Sequence, residues 1–140
     1  MRRTIGIIIP IMMIMGLIYC GEDRVLPEAP AEYKSKKNPI AESADAIAAG
    51  EAIYKKKCEK CHGNSGDGKG KNAENLENKP IDLTKPGYMA GRSDGQLFWF
   101  IVTGGKKGNE MDGYGPGTSD NLSEEDIWKS ILYLRKNFTK

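Results

Sequence analysis

The sequence predicts a small all-α domain in which three main helices are joined by long irregular loops. Three segments begin with a serine that can cap a helix and continue with apolar residues. The two long stretches between them, 63–92 and 104–121, are irregular, and loops of this length in so small a domain need a surface to wrap around. The chain has 140 residues, of which 39 % are apolar, so we expect one domain with a small core.

Residues 1–20 have the layout of an export signal. Arg2 and Arg3 precede an apolar run that ends at Tyr19 and is shorter than the roughly 20 residues that span a bilayer. The run resembles a bacterial lipoprotein signal, which implies cleavage before Cys20 and lipidation of Cys20, although Tyr19 stands where that pattern has a small residue. An uncleaved membrane anchor and ordinary cleavage are the alternatives. In each case we expect the rest of the chain outside the cytoplasmic membrane, in the periplasm or cell envelope.

Residues 21–44 are predicted to be a flexible linker. Pro27, Pro30 and Pro39 are spread among charged and small residues, a composition that buries little surface and favours an extended chain. The linker would tether a globular domain over residues 45–140.

The first helix is predicted to begin at Ser43, a good N-cap, with Asp45 in its first turn. One face of this helix carries residues at spacings of three and four: Ile47, Gly50, Tyr54, Cys58 and Cys61. Because that face ends on two cysteines, we expect whatever they bind to lie on the buried side of the helix.

The second and third helices carry end signals of their own. Ser93 and Gln96 form a capping-box pattern before a dense apolar run, and Gly104 with the glycine after it ends the run. Ser123 opens the third helix, whose acidic first turn precedes an amphipathic repeat. The repeat consists of Ile127, Ile131, Leu134 and Phe138.

The strongest motif is Cys-x-x-Cys-His, formed by Cys58, Cys61 and His62. This pattern is typical of c-type haem attachment, in which two thiols form thioethers to the haem and the next residue presents an imidazole to the iron. A structural zinc site, which normally has four ligands, and a thioredoxin-like redox pair, which expects a βαβ context, are weaker interpretations. A chance match to the motif is the fourth interpretation. The sequence therefore predicts haem c as cofactor.

From about residue 45 to residue 140 the chain resembles the class I monohaem cytochrome c family. The resemblance rests on Gly50 and Tyr54 before the Cys-x-x-Cys-His segment, the glycine-rich loop 66–70, the stretch 80–84 and the helix 128–134. It implies a cytochrome c-like fold wrapped around one covalently attached haem. It also implies that Gly50 and Tyr54 lie where the first helix crosses the last, near Tyr133. Ser130, where the family more often has an aliphatic residue, suggests looser packing at this crossing.

The sixth ligand of such a haem is expected to be a methionine. His62 is the only histidine in the chain, so a second histidine would have to come from a partner. Outside the signal region the methionine candidates are Met111 and Met89, and the alternatives to a methionine are a lysine or an open iron position. In the resembling family the axial methionine comes from a loop before the last helix, which implies Met111, although Asp112 replaces the usual proline. By the same resemblance, the Pro80 carbonyl would accept the ring N–H of His62.

The predicted function is single-electron transfer between membrane-associated or periplasmic redox proteins. With both axial positions filled, no small-molecule substrate and no enzymatic activity are expected. The net charge of +2 and the lack of a basic stripe argue against nucleic acid. The alternatives are a haem c subunit of a larger respiratory or oxidising complex, and a haem peroxidase or gas sensor with a labile sixth ligand. Lysines near the motif could form a docking patch for an acidic redox partner or simply a solvated face: Lys55, Lys56, Lys57, Lys60, Lys106 and Lys107.

Overall fold

The computed structural model describes residues 27–105 and 110–140. The predicted signal segment with Cys20 lies outside these residues, as do Lys106 and Lys107. Within the described part every regular element is helical, which confirms the all-α fold. The elements are α1 Ala31–Lys34, α2 Ala44–Ile53, a π-helical turn Tyr54–Cys58, α3 Glu59–His62, a 3₁₀ turn Ala73–Asn75, α4 Asp94–Thr103 and α5 Glu124–Phe138.

The three predicted helix starts are confirmed. The hydroxyl oxygen of Ser43 accepts a hydrogen bond from the Ala46 amide, and Ser123 caps α5 in the same way. Ser93 and Gln96 form a complete capping box at the start of α4. That helix ends at Gly104, which adopts the left-handed conformation (φ 69°) typical of a glycine C-cap.

Helices α2 and α5 cross in close contact at Gly50. A Cβ atom at this position would lie 2.1 Å from the Lys129 carbonyl oxygen and 3.0 Å from the Tyr133 Cβ, so only glycine fits. The predicted crossing near Tyr133 is confirmed. It is tighter than Ser130 suggested, because Gly50 lets the two backbones meet. The buried Ser130 hydroxyl is satisfied within its own helix, where it donates to the Ile127 carbonyl (2.7 Å).

Aromatic rings fill the core around this crossing. The Tyr54 ring packs against the rings of Tyr133 and Phe138, with centroids 5.2 and 5.4 Å away. Phe98 of α4 stacks on Trp128 of α5 at 4.3 Å. These contacts connect the π-helical turn and α4 to α5, and they hold the turn that ends at Cys58 against the core.

Part of the predicted linker packs onto the domain instead of extending freely. Residues 29–40, here called the N-terminal strap, contain α1 and lie against α4 and α5. Tyr33 stacks on Phe98, and the Asn38 side chain donates to the Trp128 carbonyl (2.9 Å). The Gly95 amide donates to the Lys36 carbonyl (3.2 Å), an approach that the missing side chain of Gly95 permits.

The strap therefore differs from the flexible linker predicted over residues 21–44. A segment with this composition can still dock when an aromatic ring and a carbonyl find partners on the domain. Among the described residues there is no helix of the length and apolarity needed to cross a membrane.

Candidate functional site

A cavity of about 380 Å³ brings the residues of the Cys-x-x-Cys-His motif together with Met111. Its lining includes Cys58, Cys61 and His62 from the first long helical segment and Met111 from the loop before α5. Much of the remaining wall is apolar, with Leu83, Met89, Leu97, Ile101 and Leu134. A mostly apolar cavity with a few polar groups is typical of a cofactor site.

The motif residues occupy the end of one continuous helical segment. We call residues 44–62, comprising α2, the π-helical turn and α3, the attachment helix. Cys58 ends the π-helical turn, while Cys61 and His62 lie in α3, which stops at Gly63 with a positive φ of 79°. Regular helical spacing did not predict this π-helical turn, a feature that is frequent at functional sites.

The Cys58 thiol is poorly suited to redox exchange as a free thiolate. Burial, with a further contribution from Cys61, raises the pKa of the Cys58 thiol to about 12. Reactive thiols of thioredoxin-like pairs have depressed pKa values, because the thiolate is the nucleophile. The environment of Cys58 therefore argues against that alternative. Likewise, the described ranges contain no group of three or more His, Cys, Asp or Glu side chains that could hold a metal ion.

His62 carries a buried polar atom that fits iron ligation. Its Nδ1 is buried and makes no hydrogen bond of normal geometry to any residue in the described part of the chain. Burial lowers the pKa of the ring, and the nearby backbone of Ile81 partly opposes this effect. A neutral imidazole beside an apolar cavity can donate a nitrogen lone pair to a metal. The orphaned atom and the cavity together fit a haem.

The backbone of Ile81 lies beside the His62 ring. The Pro80 carbonyl oxygen faces Gly68, where a Cβ would lie 2.6 Å from it. The Pro80 carbonyl as acceptor of the His62 ring N–H therefore stays a prediction of the family resemblance.

Met111 lies in a segment held against the end of α4. We call residues 110–122 the methionine loop. The amide of Tyr114 donates to the Ile101 carbonyl (2.8 Å), and the amide of Gly115 donates to the Val102 carbonyl (3.0 Å). Met111 itself is partly buried against the core. Met89 also borders the cavity but is almost fully buried.

Glycine residues permit this close docking of the methionine loop. A Cβ at Gly104 would lie 2.2 Å from the Met111 carbonyl oxygen, and a Cβ at Gly113 would lie 2.5 Å from the Val102 carbonyl oxygen. The glycines that made this stretch look irregular in the sequence therefore set its position.

The sequence analysis missed Tyr114, which connects the methionine loop to the attachment helix. The Tyr114 hydroxyl donates to the Lys57 carbonyl (2.9 Å), and the Lys57 ammonium pairs with Asp120 at 2.7 Å. An aromatic residue within a glycine-rich loop was the signal available in the sequence. Lys55 pairs with Glu51, so two of the lysines near the motif are engaged in ion pairs within the chain.

Residues 45–134 match a family model described as cytochrome C oxidase, cbb3-type, subunit III. The chain belongs to this family. The cytochrome c resemblance is thus confirmed, the cofactor of such a domain is haem c, and its role is electron transfer. No curated protein matches the chain.

Several solved structures are similar to the chain, including these three. One is the Kuenenia stuttgartiensis reducing HAO-like protein complex Kustc0457/Kustc0458, at 28 % identity and a TM-score of 0.61. The likeness covers 73 % of this chain but 47 % of that one, so the chain spans about half the length of this relative.

The other two solved structures share the fold of this chain. Cytochrome CL from the marine methylotrophic bacterium Methylophaga aminisulfidivorans MPT is 22 % identical with a TM-score of 0.54, over 82 % of this chain and 73 % of that one. The KustC0563 c-type cytochrome is also 22 % identical with a TM-score of 0.51, over 65 % of this chain and 98 % of that one.

Proposed function

We propose that this chain transfers single electrons through one haem, bound covalently by Cys58 and Cys61 and ligated axially by His62 and Met111. The observation that carries the proposal is the single cavity whose lining contains all four of these residues. When bound, the haem supplies an iron that cycles between Fe(III) and Fe(II), and His/Met ligation favours a relatively high reduction potential.

The chain contributes attachment, orientation and exclusion of water. Cys58 and Cys61 lie on a helix that Gly50 and Tyr54 hold tightly against α5, so the attachment point is fixed by the core. The His62 ring is buried and its pKa is lowered by burial, so the neutral imidazole would offer one nitrogen to the iron. Apolar side chains such as Leu97 and Leu134 keep water from the cavity, which raises the potential further.

Covalent attachment is tested with the single variants Cys58→Ala and Cys61→Ala. Each should leave a single thioether, seen as a shifted visible absorption maximum of the reduced protein. In the wild type we expect one haem per chain that stays bound on a denaturing gel. Loss of all haem from the wild-type protein on that gel would contradict covalent attachment.

The sixth ligand is tested by comparing Met111→Leu with Met89→Leu. Leucine conserves the apolar volume and removes the thioether, so packing changes little in either variant. We expect the oxidised wild type to show the weak long-wavelength band of Fe(III)–thioether bonding. Met111→Leu should lose this band and lower the reduction potential, whereas Met89→Leu should keep both. The reverse pattern would assign the ligand to Met89.

The partners in this proposal are redox proteins of the periplasm or cell envelope. A free shuttle and a fixed subunit of a larger complex both fit an electron-transfer domain. The second role is favoured by the similarity to a chain of a Kuenenia stuttgartiensis protein complex and by the oxidase-subunit description of the family. Purification of the full chain from its native membrane and envelope fractions distinguishes them, since a fixed subunit co-purifies with stoichiometric partners.

A peroxidase or gas sensor would need an accessible sixth position. Ready binding of cyanide or CO by the wild type, together with the absence of the Fe(III)–thioether band, would replace electron transfer by that function.

Membrane attachment through a lipidated Cys20 is part of the same proposal, although Cys20 lies outside the described residues. The full chain should be found in the membrane fraction, and Cys20→Ser should release it. Retention of Cys20→Ser in the membrane would favour an uncleaved anchor.

A further inference from the structure

We propose that Tyr114 is the positioning residue for Met111, and that the Lys57–Asp120 ion pair assists it. Both contacts join the methionine loop to the attachment helix beside the cavity. The inference rests on the axial role proposed for Met111, and it names the contacts that keep that methionine within reach of the iron.

The hydrogen bond of Tyr114 reaches the attachment helix next to the haem-binding residues. Its hydroxyl donates to the carbonyl of Lys57 (2.9 Å), the residue that precedes Cys58 in the π-helical turn. A backbone carbonyl has two lone pairs, so this acceptor can serve the hydroxyl in addition to a helical amide. One contact thus connects a residue three positions after Met111 to the neighbour of an attachment cysteine.

The setting of Tyr114 favours a persistent bond. The side chain is half-buried and lines the cavity, and burial raises the pKa of its hydroxyl to about 12. The hydroxyl therefore stays protonated and able to donate throughout the neutral range. A partly desolvated hydrogen bond of this kind is costly to break, because both groups would lose their partner.

The ion pair uses the side chain of the same lysine. The Lys57 ammonium lies 2.7 Å from the Asp120 carboxylate, and Asp120 belongs to the methionine loop. Asp120 is exposed, so solvent and salt weaken this contact relative to the Tyr114 hydrogen bond. Lys57 therefore holds the loop at two points, through its carbonyl and through its ammonium group.

The methionine loop is also attached to α4 through backbone hydrogen bonds at Tyr114 and Gly115, and at its start Glu110 accepts a hydrogen bond from the Glu77 amide. The backbone hydrogen bonds fix the position of the loop along α4, but they do not connect the loop to the attachment helix. Without the Tyr114 hydroxyl the loop could move away from the attachment helix while the core stays folded. We therefore expect weaker iron ligation by Met111 without a loss of global structure.

The test compares holoprotein variants Tyr114→Phe and Tyr133→Phe. Both remove one phenolic hydroxyl, but Tyr133 packs at the α2–α5 crossing away from the cavity lining. The measured quantity is the rate at which imidazole displaces the methionine from ferric haem. We expect about a three- to tenfold faster displacement in Tyr114→Phe, the range that the loss of one hydrogen bond predicts, and the wild-type rate in Tyr133→Phe.

A second pair of variants tests the ion pair. Asp120→Asn removes the carboxylate that Lys57 contacts, whereas Glu51→Gln breaks the Lys55–Glu51 pair on the same helix without touching the methionine loop. We expect a smaller acceleration in Asp120→Asn that disappears at high salt, and no change in Glu51→Gln. If Tyr114→Phe does not accumulate as holoprotein, a wild-type displacement rate in Asp120→Asn at low salt overturns the inference.

The outcomes separate the inference from the proposed function. If the Fe(III)–thioether band is present in the wild type and lost in Met111→Leu, yet Tyr114→Phe displaces methionine at the wild-type rate, only the positioning role fails. If the wild type lacks the band and Met111→Leu changes nothing, the proposed ligation fails and the positioning role fails with it.

Discussion

The attachment helix and the methionine loop border the same cavity but are held in place by different forces. The attachment helix is fixed by the core: Gly50 brings it into backbone contact with α5, and the buried Tyr54 hydroxyl donates to the Gly63 carbonyl (2.6 Å) where the segment ends. The methionine loop is held by separate hydrogen bonds and by glycines that let it approach α4.

This difference predicts two kinds of response to mutation. A substitution that disturbs the attachment helix should destabilise the whole domain, because residues of this helix belong to both the cavity and the core. Damage to the methionine loop should remain local and appear first in the axial ligand. Four variants test this contrast, from the largest expected effect to the smallest.

The double variant Cys58→Ala/Cys61→Ala should have the largest effect. Without attached haem, the largely apolar wall of the cavity of about 380 Å³ would lose its packing partner and be exposed to water. Small domains are stable by only about 5–15 kcal/mol, so the loss of this buried surface is a large fraction of the free energy of unfolding. We therefore expect a largely unfolded apoprotein by far-UV circular dichroism, whereas Met111→Leu with its haem attached stays helical. A haem-free double variant that melts cooperatively at the wild-type temperature would contradict this.

Gly50→Ala should strongly destabilise the holoprotein. The added methyl group would meet the Lys129 carbonyl oxygen at 2.1 Å, and relieving that overlap moves two helices apart. We expect a loss of about 3 kcal/mol in the free energy of unfolding, measured with urea. Gly117→Ala is the control. Its Cβ would meet nothing within 4 Å, so only the positive φ of 88° lowers the free energy of unfolding, by about 1 kcal/mol. An equal loss in the two variants would show that the α2–α5 contact is not tight.

Gly113→Ala should separate ligation from folding. Its added methyl group would lie 2.5 Å from the Val102 carbonyl oxygen and would push the methionine loop away from α4. We expect a loss of about 1.5 kcal/mol in stability together with loss of the Fe(III)–thioether band, while the haem stays covalently attached. Gly87→Ala, in another loop with open space around it, should retain the band. An intact band in Gly113→Ala would mean that the loop tolerates displacement.

Glu110→Ala should have the smallest effect. The Glu110 carboxylate accepts a hydrogen bond from the Glu77 amide (3.1 Å) at an exposed position beside Met111. Water can replace this partner, so we expect a change within about 0.5 kcal/mol in unfolding free energy and a slight increase in the rate of methionine displacement. Glu74→Ala, another exposed acidic residue, should leave that rate unchanged. If Glu110→Ala lowered stability as much as Gly113→Ala, the hydrogen bond with Glu77 would be a main contact that holds the methionine loop.

Much of the fold could be predicted because its signals are local. The three main helices begin at the serines that the sequence predicted as caps, because a cap depends only on residues within one turn. These serines are Ser43, Ser93 and Ser123. The close crossing at Gly50 followed from the family resemblance rather than from periodicity.

Other features could not be read from local patterns. Composition alone predicted a flexible linker, yet Tyr33 and Asn38 of the N-terminal strap find partners on Phe98 and Trp128, far away along the chain. Regular helical spacing missed the π-helical turn before Cys58, because one widened turn leaves the pattern of apolar residues nearly unchanged.

The sequence by itself determined the Cys-x-x-Cys-His segment that we propose binds the haem. Cys58, Cys61 and His62 lie within five residues, so their relative placement depends on a single helical turn and on no distant contact. It also determined where the three main helices begin. Only the tertiary structure decided what surrounds the cavity and what holds the methionine loop. The Tyr114–Lys57 bond joins residues 57 positions apart, and such a contact exists only after α2, α4 and α5 have packed. Packing, unlike capping, depends on the whole chain at once, which is why the sequence around Tyr114 could mark the residue but could not name Lys57 as its partner.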